Sequence, residues 1–235
     1  MTEDVPQPAP PPGEPRPLAL FPLENVVLFP RVRVPLHIFE PRYRQMVRDA
    51  TGDEGVRAIG MAVVLPSHTA GMSGSPPLFD VGCEGVIEQL EALPSGRFNL
   101  VLAGTTRFRI VDEEPSDGER LYRVARVVSV PDSNPEEDAA GVAAARRDVL
   151  EAMRDLLARI APARIEAFAR QQFDRLGDEE FVNSFAQSID FAPSEKQGLL
   201  EADRVLERYE KLVGLLRFRL AELASGHSPG SGVLQ

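Results

Sequence analysis

Lysine is almost missing from this sequence: of 26 basic residues only Lys196 and Lys211 are lysines, and the other 24 are arginines. A phosphate-binding loop of the Gly-x-x-x-x-Gly-Lys-Ser/Thr type needs a lysine after a glycine and before Ser or Thr, so that backbone amides and an ammonium group hold the phosphates together. Lys196 lies between Glu195 and Gln197, and Lys211 between Glu210 and Leu212, so ATP hydrolysis of that kind is excluded. A Ser-Lys nucleophile pair would have to use the same two lysines. Both fall on the last predicted helix, opposite or flanking its apolar stripe, and Glu207 stands four residues before Lys211, the spacing of a solvated ion pair.

Cysteine is equally scarce. Cys83 is alone, so no intramolecular disulfide can form, and no Asn-x-Ser/Thr sequon occurs, so nothing marks a secreted chain. Cys83 reads as a small buried hydrophobe in a strand. The three histidines, His37, His68 and His227, are far apart and none belongs to a His-Glu-x-x-His or Cys/His spacing, which leaves metal binding without support. His37 reads as a partly buried packing residue and His68 as a solvated loop residue. Gly226-His227-Ser228-Pro229-Gly230 matches the Gly-x-Ser-x-Gly nucleophile pattern, yet the five residues after it include no His, Asp or Glu, so no triad can be completed downstream. No catalytic, cofactor-binding or metal-binding residue is therefore assigned.

Long hydrophobic runs are also absent. The first 17 residues hold seven prolines and neither a basic nor an apolar segment, which excludes a signal peptide, and no run reaches membrane-spanning length; a cytoplasmic protein with no membrane partner is expected. Net charge is −10, with 13 basic against 17 acidic residues through 131 and 13 against 19 beyond it, which argues against a general nucleic-acid binder. The one basic concentration is Arg31, Arg33, Arg42, Arg44 and Arg48.

What is present falls into four stretches: a proline-rich tail, 1–17; a β-rich domain, 18–131; a helical bundle, 132–225; and a small-residue tail, 226–235. Strands are predicted at 18–21, 25–29, 57–65, 79–93, 97–104, 105–111 and 121–130, where β-branched and apolar residues run between turn signals. Pro94 and Gly96 sit at turn positions, making 79–93 and 97–104 a hairpin, and alternation on 105–111 places Phe108 and Ile110 on one face, Arg107 and Arg109 on the other. One helix interrupts the strands, opening with Pro41 at its first position and stopping at Thr51-Gly52. Together these suggest a curled antiparallel sheet or an incomplete barrel.

From Asn134 the period becomes helical. Helices are predicted over 134–160, over 163–176, from Asp178, and from Ser194 to Leu223, the last with a stripe of Leu199, Ala202, Leu206, Tyr209, Leu212, Leu216, Leu220 and Leu223 that reads as bundle core. Asn134 and Ser194 each start a capping-box pattern.

The string from Pro17 to Ala50 resembles the opening of the Lon N-terminal domain, the substrate-recognition part of the ATP-dependent Lon protease. Phe21-Pro22-Leu23, Val27-Leu28-Phe29-Pro30 and Leu36-x-Ile38-Phe39-Glu40-x-Arg42-Tyr43 carry the likeness, and Gly82-x-x-Gly85-Val86-Ile87, Gly104-x-x-Arg107-Phe108-Arg109-Ile110 and Phe191-x-Pro193-x-Glu195-Lys196-Gln197 extend it to about residue 223. The resemblance implies an α+β fold: a PUA-like antiparallel β pseudo-barrel with one short helix, followed by a C-terminal helical bundle. It implies recognition of unfolded or degron-bearing polypeptides without catalysis, since the chain ends before the ATPase and peptidase parts of the full proteases; a free-standing module presenting clients to a separate ATP-dependent protease or chaperone is expected. Phe21, Phe29, Ile38 and Phe39 are read as core. Candidate contacts are Met72, Leu78 and Phe79, in or beside the Gly/Pro-rich loop 66–77. The alternative is RNA binding through the barrel and the arginines at 31, 33, 42, 44 and 48.

Overall fold

A computed structural model of the chain describes residues 13–52, 55–66, 75–115 and 118–225; Met72, His68 and the Gly-x-Ser-x-Gly match lie outside them. Six strands form one sheet: β1 (Arg16–Leu23), β2 (Arg33–Ile38), β3 (Ala58–Val63), β4 (Val81–Ala92), β5 (Phe98–Glu113) and β6 (Arg123–Val130), with helix α1 (Pro41–Thr51) between β2 and β3. The order is β2-β5-β4-β3-β1-β6, and β6 pairs again with β5.

The closure follows from the length of β5. Its first half pairs with β2 through Arg33↔Ala103 to Ile38↔Phe98, its second half pairs with β6 through Arg107↔Val130 to Glu113↔Ala125, and β4 runs along its other edge. The two predicted strands 97–104 and 105–111 are thus one strand that changes partner midway. A register shift opposite Glu84 and Gly85 marks the bend, as an extra residue in one strand does. Gly104 stands there because the loop before β2 crosses close by: a Cβ at Gly104 would overlap the carbonyl oxygen of Phe29. The sheet is antiparallel except between β1 and β3, which run parallel with α1 in their connection.

Leu18, Leu20, Ala62, Phe108, Ala125 and Val127 form a small cluster inside the barrel. Phe108 takes so much of this space that a Cβ on Gly82 would overlap its ring. The outer face of the sheet belongs to a second and larger core, in which Phe21, Phe29, Ile38, Tyr43, Met46, Ile59 and Leu102 join Phe181, Phe185, Leu199, Tyr209, Leu212 and Leu216 from the helices.

Those helices are α2 (Ala139–Ile160), α3 (Ile165–Ala169), α4 (Asp178–Ser188), α5 (Pro193–Leu200) and α6 (Val205–Ala224). The fold is the expected α+β arrangement of barrel and helices, with local corrections. Residues 25–29 form a loop, buried from Val27 onward, rather than a strand; 163–176 holds only the short α3 and two 3₁₀ turns; and the last helix breaks into α5 and α6. Neither predicted cap is made by Asn134 or Ser194: α2 is preceded by a 3₁₀ turn at Glu136–Asp138, and at α5 the Glu195 carboxylate accepts the Ala192 amide N–H.

Candidate functional site

The five arginines are divided between two elements. Arg31 and Arg33 lie before and on β2, whereas Arg42, Arg44 and Arg48 lie along α1. Arg31, held at positive φ, reaches Glu179 at 3.0 Å; Arg33 grips Glu88 with two bonds of 2.7 and 3.0 Å, and that carboxylate raises its pKa; Arg42 pairs with Glu40 at 2.8 Å and lies over the Tyr43 ring. Arg44 closes over Gly96 in the β4–β5 turn, and Arg48 is exposed on the last turn of α1. Three of the five are neutralised by carboxylates, so they would release few counterions to a polyanion.

Leu78 and Phe79 are half-buried. Their segment is pinned to the barrel, with the Phe79 amide donating to Val63 O at 2.9 Å and Leu65 to Pro77 O at 3.0 Å. Leu78 packs on the barrel interior and Phe79 on the larger core. Phe39 departs from expectation: Phe21, Phe29 and Ile38 are buried as read, but Phe39 is 56% exposed. It follows Ile38 at the end of a strand, and alternation sends it to the opposite face, a signal already present in the sequence. His37, read as partly buried, is exposed; its Nδ1 lies 2.8 Å from Asn99 Oδ1, and its ring stacks with Phe39 at 6.1 Å between centroids.

Beside His37 runs a trough of about 450 Å³ across β2, β5 and β4, lined by Pro35, Leu36, Leu90, Asn99 and Val101 and bordered by Glu91. It has a mixed apolar and polar lining and lies along β2, whose only ladder partner among the described residues is β5.

The strongest electrostatic feature lies elsewhere, where barrel meets helices. Arg107, placed by alternation on the face opposite Phe108, is 1% exposed. With Phe108 inside the barrel it does point outward, but the helices cover that face. Its Nε stands 2.6 Å from Asp132 Oδ1, and Arg208, 0% exposed, holds both oxygens of the same carboxylate at 2.7 Å. Further bonds go to carbonyls at and after the end of α5: Arg107 to Leu200 (3.0 Å) and Ala202 (2.8 Å), Arg208 to Leu199 (3.0 Å). Two arginines thus satisfy the orphan carbonyls that a helix end presents, which is why the apolar stripe is interrupted there. Asn183 completes the joint, accepting from Arg208 and donating to Pro30 O at 3.0 Å. Burial pushes the Asp132 carboxyl up, but the bonds and charges of Arg208 and then Arg107 outweigh it and hold the group below its ordinary pKa.

Lys196, its pKa lowered by burial, donates to Gln187 O at 2.8 Å, and Lys211 pairs with Glu207 at 2.8 Å; both are thereby engaged in structural contacts. Among the described residues no three His, Cys, Asp or Glu side chains gather as metal ligands, and no helix is long and apolar enough to cross a membrane.

The Lon protease of Cytophaga hutchinsonii is 28% identical over 203 residues, 85% of this chain and 24% of that protein, and Lon protease 2 of Myxococcus xanthus is 27% identical over 220 residues, 91% of this chain and 24% of that protein. The chain thus spans about a quarter of the length of these curated relatives. Among solved structures, the Lon N-terminal domain protein from Xanthomonas campestris superposes with a TM-score of 0.57 at 24% identity, covering 85% of this chain and 98% of that one. The N-terminal domain of Mycobacterium avium complex Lon protease gives 0.62 at 18% identity, covering 86% and 98%; both likenesses are of fold. Residues 17–217 match the profile of the ATP-dependent protease La (LON) substrate-binding domain, and the chain belongs to that family.

Proposed function

We propose that this chain binds unfolded or degron-bearing polypeptides without altering them covalently. The observation that carries the reading is the family match over residues 17–217, since that domain is the non-catalytic, substrate-binding region of Lon. On this reading the protein works in the cytoplasm as a module of protein quality control and hands its clients to an ATP-dependent protease or a chaperone. Leu78 and Phe79, together with Met72 before them in the sequence, contribute apolar contacts. RNA recognition has less to support it, because Arg31, Arg33 and Arg42 are already engaged by Glu179, Glu88 and Glu40.

The test is fluorescence anisotropy with a labelled, chemically unfolded protein and a labelled structured RNA, each at low and high salt. Saturable polypeptide binding that persists at high salt, reduced by Leu78→Ser with Met72→Ser in a protein that still folds, supports the reading. RNA binding that falls with salt and is lost only in Arg31→Glu with Arg33→Glu would replace it.

A further inference from the structure

The edge of β2 away from β5, which has no ladder partner among the described residues, is a second route to the same ligands, and resting on the polypeptide reading above, we propose that it pairs in β-ladder fashion with an extended polypeptide segment. That segment seats one apolar side chain in the adjoining trough and presents a basic side chain to Glu91. The ladder phase comes from the hydrogen bonds. Gly104 N–H donates to Val32 O at 2.8 Å, and the register continues from Arg33↔Ala103 without a shift, so the backbone groups of Val34, Leu36 and Ile38 face β5. Those of Arg33, Pro35 and His37 then face the open edge. Pro35 fits this phase, because the residue without an N–H stands where no β5 partner requires one.

A bare edge is also what proteins blunt against aggregation, and Pro35 does part of that work. Three neighbouring features go beyond blunting. The trough spans β2, β5 and β4 beside the edge, with Leu36 and Leu90 flanking Leu100 in register and Pro35 and Val101 also in its lining, giving alternate side chains of an added strand a place to enter. Phe39, more than half exposed at the end of the same strand, extends the apolar surface in the strand direction. Charge then selects the occupant: Arg33 and Glu88 cancel, whereas among the described residues Glu91 is met by the neutral amide of Asn99 at 3.0 Å and by no cation, leaving one net negative charge on the rim. A neutral-to-basic extended segment satisfies both the backbone groups and the rim.

The probe is a labelled peptide of about ten residues, the length of a long strand, alternating valine and threonine with one central phenylalanine and one lysine. N-methylating its backbone on alternate residues in one phase should abolish binding, while the opposite phase should leave it unchanged. Pro35→Val supplies an N–H at the open edge and should tighten binding about two- to tenfold. Replacing the peptide lysine by glutamate should weaken binding about two- to fivefold, and Glu91→Lys should reverse that preference. Both substitutions are at exposed positions, and unchanged melting curves confirm the fold. Should wild type bind unfolded protein while the two N-methyl phases act alike and Pro35→Val changes nothing, the edge inference fails and polypeptide recognition stands. If wild type binds neither peptide nor unfolded protein, both fail.

Discussion

Replacing Asp132 by alanine removes the carboxylate that pairs with both Arg107 and Arg208, whose side chains are 1% and 0% exposed. Both guanidinium groups stay buried, because their other donors remain bonded to the carbonyls of Leu199, Leu200 and Ala202. The variant therefore keeps two like charges side by side without the anion that offset them. Breaking a buried ion pair in this way costs about 3–5 kcal/mol. At roughly 2–4 °C per kcal/mol for a chain of this size, the melting temperature should fall by about 6–20 °C. Guanidinium unfolding of wild type and Asp132→Ala across pH gives a further check. Asp132 is held below its ordinary pKa in the folded protein, so its contribution is fully present above the unfolded value, about 3.9, and is lost as pH falls through the folded value. The stability gap should be constant at neutral pH and close as acid is added below about pH 4. A gap under about 1 kcal/mol at neutral pH, or one that widens in acid, would refute the reasoning.

Leu216→Asp puts a carboxylate on a fully buried position of α6 and should cost about 3–5 kcal/mol, against about 1 kcal/mol or less for Glu207→Lys, measured by urea denaturation. Gly104→Ala forces a methyl group onto the Phe29 carbonyl and should destabilise by about 2 kcal/mol or more in the same assay. Burial raises the Cys83 thiol pKa, so alkylation of this single cysteine should be slow in the folded protein and become fast only on unfolding; rapid labelling by iodoacetamide under native conditions would contradict its place in β4.

Much of the fold was legible in the sequence where local signals and tertiary packing agree. The hairpin around Pro94 and Gly96 formed as read, with Leu93 N–H donating to Arg97 O at 2.9 Å, and α1 begins at Pro41 as its proline indicates. Val26, Val27, Leu28 and Phe29 looked like a strand because buried loops and buried strands share apolar composition; only the crossing beside Gly104 tells them apart. Region 163–176 has helical apolar spacing, yet Phe168 and Phe173 pack on each other and on Phe185, and this cluster is satisfied by short turns. The break before α6 was hidden because its cause is remote in sequence: Arg107, more than 90 positions upstream, captures the carbonyls of Leu200 and Ala202. Of the candidate site, individual residues could be named but not their arrangement. Ion pairing of Arg31 with Glu179 and of Arg33 with Glu88 joins residues far apart in the chain.

Polypeptide recognition is tested most directly by titrating one client protein in two forms: native, and reduced and carboxymethylated so that it stays unfolded. Calorimetry should show saturable binding of the unfolded form alone, with a negative heat-capacity change from apolar burial. Equal binding of both forms, or heat from neither, would contradict the account.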